Sequence, residues 1–185
     1  MALPAYFWTP LLTGRTIIVK KVEMKIQLNN ATIYDPQSSW NNQTCSILIE
    51  EGQITQIASE ISDPDAIQIN SAHLCVTPGF IDLKADFCDP GYEHKETIES
   101  GLEAASAGGY TRVYIQPTTD PVIDNKSVAS YVQQQSLHST TLLGVNGALS
   151  KNIKGEELAE MFELYEQGVR LFTDDSHSVS AGLLH

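Results

Sequence analysis

The stretch Val76-Thr-Pro-Gly-Phe-Ile-Asp-Leu-Lys-Ala-Asp-Phe-Cys-Asp-Pro-Gly-Tyr-Glu93 decides the fold of this chain. Pro-Gly turns bound it, and the apolar run Phe80-Ile81 predicts a buried strand. A buried strand that delivers polar side chains at its carboxyl end is how an α/β barrel builds an active site. Because alternate residues of a strand share a face, we expect Lys84 and Asp86 to point the same way, with Ala85 opposed.

Downstream of this stretch, strand and helix patterns alternate. The predicted strands lie at 111–115, 140–145 and 169–172, and the predicted helices at 96–107, 125–137 and 155–167. The third helix carries an apolar face formed by Leu158, Met161, Phe162 and Tyr165. Strands that alternate with helices indicate a parallel α/β sheet, and a closed eight-unit barrel needs about 250 residues. The sequence therefore predicts a partial TIM barrel of about four βα units over 78–185.

The region before the stretch has a different pattern. Short strand-like segments lie at 25–29, 31–34, 46–49, 53–57, 67–69 and 74–76. The Glu51-Gly52 pair is typical of a hairpin turn, so 24–77 is predicted as a separate β-segment. Residues 1–23 carry apolar and aromatic residues ahead of their basic ones, the reverse of a secretory signal.

Composition excludes several function classes. The chain has 185 residues and a formal net charge of −12, which argues against nucleic-acid or anionic-membrane partners because both rely on Lys and Arg. Three scattered cysteines, Cys45, Cys75 and Cys88, indicate a reducing compartment rather than a disulfide framework. We therefore expect a cytoplasmic location.

The opening stretch resembles the first barrel strand of dihydroorotases and related cyclic amidohydrolases, which reads P-G-F-I-D-x-H-x-H-x-R-x-P-G. Further segments resemble the family in the same order, at 104–111, 121–125, 147–151, 155–158 and 172–175. An ordered series of matches is more specific than any single motif. The resemblance implies an amidohydrolase-type partial barrel over 78–185, preceded by half of a small β-sandwich over 24–77. Residues 1–23 would then be an N-terminal extension outside the family.

At the metal positions this chain departs from the family. The resemblance implies two zinc-binding histidines where this chain has Lys84 and Asp86, and a metal-bridging aspartate at Asp174 or Asp175. A protonated lysine has no lone pair for zinc, and an oxygen ligand alone suits magnesium or manganese better. We therefore expect no zinc cofactor, and we expect the ammonium of Lys84 to replace the charge of the metal among the carboxylates.

The substrate positions depart as well. The arginine that holds the substrate carboxylate in the family corresponds to Cys88, and the family asparagine after the second strand corresponds to Thr118. Ser176 stands where active relatives usually have glycine, and the neighbouring His177 is the histidine nearest the expected site. Since Asp89 follows Cys88, we expect a raised thiol pKa and no activated nucleophile. No catalytic residue is predicted.

Three interpretations of function follow from this pattern. The first is a catalytically inactive dihydroorotase-like protein with a structural or assembly role, as a homo-oligomer or beside an aspartate transcarbamoylase-like partner, which the resemblance implies. The second is an active metal-dependent cyclic amidohydrolase with an altered site. The third is a fragment without a function of its own.

Overall fold

The computed structural model describes residues 24–136, 139–180 and 182. The chain divides into two compact units, with the boundary between Thr77 and Pro78. The predicted extension at 1–23 lies outside the described residues. Among the described helices, none is long and apolar enough to cross a membrane.

The first unit is a five-stranded sheet. Its strands are β1 (Lys25–Ile33), β2 (Thr44–Glu50), β3 (Gln53–Ala58), β4 (Ile67–Asn70) and β5 (Cys75–Val76). The strand order is β3-β2-β1-β4, and β5 pairs with the end of β1. The two strands predicted at 25–29 and 31–34 are one strand with a bulge, since Asn30 adopts a φ of +56° and the register shifts between Leu28 and Ala31.

The second unit holds four parallel strands in the order β6-β7-β8-β9, and a helix precedes each of β7, β8 and β9. The strands are β6 (Phe80–Ala85), β7 (Tyr110–Ile115), β8 (Leu142–Gly147) and β9 (Leu171–Phe172), and the helices are α1 (Ile98–Ala107), α2 (Lys126–Gln135) and α3 (Met161–Glu166). This curled parallel sheet confirms the predicted α/β fold of about four βα units.

The core of the second unit lies on the helix-bearing side of the sheet. It includes Ala85 of β6, Leu102 of α1 and Val132 of α2. The prediction that Phe80 and Ile81 form a buried run is wrong, because both are 58 % exposed. Burial in β6 is instead confined to Ala85, whereas the other apolar side chains of that strand lie outside the core.

The helix predicted at 155–167 is shorter than expected. Backbone pairing with the preceding loop draws 157–159 out of any helix, because Lys151 N donates to Glu157 O and Ala159 N donates to Leu149 O. Helix α3 consequently begins at Met161, and its buried residue is Leu164. The predicted apolar face is wrong: Phe162 of that face is 73 % exposed.

Candidate functional site

A bulge in β6 presents Lys84 at the carboxyl end of the sheet. Asp82 pairs with Val113 and Ala85 pairs with Ile115, so three steps along β6 match two steps along β7. The extra residue leaves both Leu83 and Lys84 exposed, whereas Ala85 is buried. Asp86 is exposed again, as the predicted alternation around Ala85 requires.

Lys84 forms an ion pair with an aspartate that follows β9. Its Nζ lies 2.7 Å from Oδ1 of Asp175, and Nε2 of Gln116 donates to the same oxygen at 3.0 Å. Asp175 adopts a left-handed backbone with a φ of +55°, which aspartate tolerates better than most residues. The hydrogen bond from Lys84 lowers the pKa of Asp175 below its ordinary value, so this carboxylate is charged at neutral pH.

Two buried amides continue this contact across the sheet, and sequence reasoning did not single them out. Nδ2 of Asn146 donates to Oε1 of Gln116 at 3.1 Å and to the carbonyl of Leu83 at 2.9 Å. The result is a chain of contacts through Lys84, Asp175, Gln116 and Asn146 that returns to the β6 bulge; we call it the polar ladder. The available signal was that Gln116 directly follows the apolar strand Val113–Ile115, and Asn146 follows Val145 in the same way.

The polar ladder leaves one acceptor unused. Oδ1 of Asn146 is buried and has no hydrogen-bond partner among the described residues. Its amide is nevertheless fixed, because Nδ2 donates to two oxygens. Asn146 therefore braces the carbonyl of Leu83, the residue before Lys84.

Asp174 does not belong to the polar ladder, although the sequence places it beside Asp175. It is 4 % exposed, and its Oδ1 accepts hydrogen bonds from the backbone N–H groups of Leu149 and Ser150, each at 2.9 Å. Its Oδ2 accepts a hydrogen bond from the Ser150 hydroxyl, whose oxygen in turn accepts from Gly155 N at 2.7 Å. Asp174 thus holds the loop after β8, and Asp175 is the aspartate that meets Lys84.

Asp86 and Cys88 form a separate contact. Sγ of Cys88 donates to Oδ1 of Asp86 at 3.4 Å. Burial and the neighbouring Asp86 carboxylate raise the pKa of the Cys88 thiol, so the thiol is protonated at neutral pH. The direction agrees with the sequence prediction, but the responsible carboxylate is not Asp89, whose Oδ2 instead accepts from Ile98 N at the start of α1.

The remaining predicted positions stay outside the polar ladder. Thr118 is half-buried beyond the end of β7. Ser176 is exposed, and its hydroxyl lies 3.5 Å from Oδ2 of Asp175. His177 closes a turn on Asp174, because its backbone N–H donates to the Asp174 carbonyl at 3.0 Å. The structure therefore brings together Lys84 with Asp175, and Asp86 with Cys88.

A zinc ion does not fit this arrangement. Oδ1 of Asp175 accepts hydrogen bonds from the Lys84 ammonium and from the Gln116 amide N–H, neither of which offers zinc a lone pair. Across the described part of the chain, no group of three or more His, Cys, Asp or Glu side chains could hold a metal ion. The described residues therefore place the Lys84 ammonium where a metal would need a ligand.

Comparisons with known proteins agree with the fold. Residues 73–185 match the family of dihydro-orotase-like proteins. A dihydroorotase from Syntrophotalea carbinolica is 40 % identical over 164 residues, and one from Aquifex aeolicus is 39 % identical over 158 residues. These alignments cover 86 % and 84 % of this chain but 37 % of each relative, so the chain spans little more than a third of their length.

Solved structures show the same fold. An L-hydantoinase from Arthrobacter aurescens superposes with a TM-score of 0.62 at 19 % identity, over 80 % of this chain and 32 % of that protein. A D-hydantoinase superposes with a TM-score of 0.58 at 21 % identity, over 87 % of this chain and 36 % of that protein. Together with the family match over 73–185, these observations show that the chain belongs to the dihydroorotase-like family of cyclic amidohydrolases.

Proposed function

We propose that this chain is a catalytically inactive dihydroorotase-like protein of pyrimidine biosynthesis, with a structural or assembly role. The observation that carries the proposal is the 2.7 Å ion pair between Lys84 and Asp175. A metal-dependent hydrolase uses a dication to lower the pKa of bound water and so generate hydroxide. An ammonium balances the charge of the carboxylate, but it cannot coordinate water as a Lewis acid.

The electrostatics of the strand ends support this proposal. Removing a dication from among carboxylates leaves like charges to repel one another. Lys84 supplies a permanent positive charge, and Gln116 adds a neutral donor to the same oxygen of Asp175. The fold is thereby kept without the metal. The substitutions at Cys88 and Thr118 remove the family's carboxylate-binding arginine and its asparagine, which is consistent with loss of the substrate as well.

Metal analysis and activity together test the proposal. The purified chain is expected to contain no stoichiometric zinc and to show no dihydroorotase activity with or without added Zn²⁺. The double substitution Lys84→His with Asp86→His is the matched comparison, because it places two neutral nitrogen ligands at the positions where the family has its zinc-binding histidines. Stoichiometric zinc or zinc-dependent hydrolysis in the unmodified chain would favour the active alternative with an altered site.

An assembly role requires a partner, either a second copy or an aspartate transcarbamoylase-like protein. Sedimentation of the chain alone and with aspartate transcarbamoylase tests both, and monomers in each case would count against assembly.

The three cysteines form no disulfide within the described residues, which supports a reducing, cytoplasmic location. A non-cooperative thermal transition of the isolated chain would favour the interpretation as a fragment without a function of its own.

A further inference from the structure

Asp175 is the second residue of a tight turn that follows β9. The turn begins at Asp174 and is closed by a hydrogen bond from His177 N to the carbonyl of Asp174 at 3.0 Å. Asp175 has a left-handed backbone, and its N–H donates to Oγ1 of Thr173 at 2.9 Å. A closed four-residue turn has little freedom of its own. The direction of the Asp175 carboxylate therefore depends on what holds the two ends of this turn.

The first end of the turn is held by the loop after β8, which comprises residues 148–160. The buried carboxylate of Asp174 accepts hydrogen bonds from the N–H groups of Leu149 and Ser150 and from the Ser150 hydroxyl. If this carboxylate turned away, three donors would lose their acceptor, which is costly where water cannot replace it. Asp174, directly before Asp175, is therefore fixed relative to the loop after β8.

The far end of the turn contacts the same loop. Ser180 N donates to the carbonyl of Gly155 at 3.0 Å. Gly155 has a φ of +68°, and a Cβ added to it would lie 2.3 Å from the carbonyl oxygen of Ser178. Glycine is the residue that tolerates both this backbone conformation and so close an approach. The chain that leaves the turn is thus held against Gly155.

One hydroxyl group connects the two anchors. Oγ of Ser150 donates to Oδ2 of Asp174 and accepts from the N–H of Gly155 at 2.7 Å. Ser150 is fully buried, so water does not compete for either hydrogen bond. Because both anchors share this side chain, a displacement of Gly155 also disturbs Asp174.

The loop after β8 is held in an unfavourable backbone conformation. Asn152 and Ile153 have φ values of +50° and +56°, which a β-branched residue such as isoleucine rarely adopts. Contacts from the chain after β7 hold this loop, since Asn152 N donates to Oδ2 of Asp124 at 2.9 Å and Ala148 N donates to the carbonyl of Ile123 at 2.8 Å. Strained conformations persist where surrounding contacts determine them, and they cluster at functional sites.

We propose that the loop after β8 positions the candidate site, with Ser150 and Gly155 as its positioning residues. Through these two residues it fixes both ends of the turn that presents Asp175 to Lys84 at 2.7 Å. The inference goes beyond the proposed function, because the position of Asp175 matters whether its partner is an ammonium or a metal ion. Its failure would leave the expected zinc content and activity unchanged.

Gly155→Ala in the full chain tests the position of Asp175 without altering the ion pair itself. The NOE between the side chains of Lys84 and Asp175 reports their separation, and we expect it to be severalfold weaker in this variant. Gly168→Ala is the matched control: Gly168 also has a positive φ, of +92°, but a Cβ added there meets nothing within 4 Å. An unchanged NOE in Gly155→Ala, or an equal loss in Gly168→Ala, would overturn the proposal.

Ser150→Ala tests the connection between the two anchors. It removes the hydroxyl that binds both Asp174 and Gly155, so we expect a severalfold weaker NOE between Lys84 and Asp175. Ser46→Ala is the control, because it removes another buried serine hydroxyl, in β2 of the first unit, and should leave the NOE unchanged. Equal NOE intensities in the two variants would contradict the role of Ser150.

Ser180→Pro provides the test if Gly155→Ala does not fold. Proline has no N–H to donate to the Gly155 carbonyl, and Ser180 is exposed, so the change removes the far anchor without opening the core. We expect a weaker NOE between Lys84 and Asp175 in Ser180→Pro and an unchanged one in Ser180→Ala, which keeps the N–H. A loss of the NOE in both variants, or in neither, would count against the proposal.

Discussion

Asp174 and Asp175 are adjacent in sequence, but they serve two different regions of the molecule. Asp174 is buried behind the strand end and accepts three hydrogen bonds that hold the loop after β8. Asp175 instead pairs with Lys84, whose side chain is 69 % exposed. A buried carboxylate with a full set of donors contributes far more to stability than one in an exposed ion pair. Asp174 therefore stabilises the fold, whereas Asp175 belongs to the ion pair of the candidate site.

Asp174→Asn is expected to be the most destabilising change. The nitrogen of the new amide cannot accept the hydrogen bond that the Ser150 hydroxyl donates. The two backbone N–H groups that donate to Asp174 also lose a charged acceptor. We expect a loss of about 2–3 kcal/mol in the free energy of unfolding, measured by urea denaturation. Asp175→Asn is the matched control, because it makes the same chemical change one residue away. Equal losses of unfolding free energy in the two variants would contradict the different roles assigned to Asp174 and Asp175.

Asn146→Leu tests whether the polar ladder braces the bulge. The substitution removes the donor to the Leu83 carbonyl and to Gln116, and it also removes the unused acceptor Oδ1. Since a carbonyl and an amide oxygen lose their partner, we expect a loss of about 1–2 kcal/mol in the free energy of unfolding. Increased hydrogen exchange at Lys84 and Ala85 would accompany it. A variant as stable as the unmodified chain, with unchanged exchange there, would argue against bracing.

Lys84→Met removes the exposed partner of the ion pair with Asp175 and keeps much of the side-chain length. Ion pairs with an exposed member contribute little, so we expect a loss of about 0–1 kcal/mol in thermal or urea unfolding. The double variant with Asp175→Asn should be no less stable than the sum of the single losses predicts. A loss as large as that of Asp174→Asn would mean that the ion pair of Lys84 with Asp175 stabilises the fold as much as the buried contacts of Asp174 do.

The pH dependence of stability provides the smallest expected effect. The pKa of Asp175 is lowered in the folded chain, so its contribution is complete above the ordinary value of 3.8 and is lost as pH falls through the lower folded value. The unmodified chain should therefore be slightly more stable than Asp175→Asn at pH 6, and this difference should disappear as the pH falls through the lowered pKa of Asp175. A difference that grows on acidification would contradict the assigned sign.

The contrast between these regions also explains what the sequence could and could not predict. The parallel βα order follows from alternating apolar patterns, and Lys84 and Asp86 flank a buried Ala85 as strand periodicity requires. The bulge at Leu83 and the contacts of Gln116 and Asn146 depend on register between strands, which no single segment encodes. For the same reason, the sequence alone could not distinguish the role of Asp174 from that of Asp175, because their contacts depend on where the loop after β8 lies.

Two local predictions failed because each rested on the apolar pattern within a single segment. The apolar spacing of 155–167 favours a helix, yet backbone hydrogen bonds to Leu149 and Lys151 take up 157–159. The apolar run Phe80-Ile81 predicts burial, yet both side chains are exposed and Ala85 is the residue of β6 that belongs to the core. In both cases tertiary context overrides local preference.

The central claim is that Lys84 occupies a metal position and holds Asp175 without a metal. Zinc content of the purified chain, measured after dialysis against micromolar Zn²⁺ beside the Lys84→His, Asp86→His variant, tests it most directly. We expect no stoichiometric zinc in the unmodified chain and a clear gain of bound zinc in the double variant. Stoichiometric zinc in the unmodified chain that disappears in Asp175→Asn would contradict the claim.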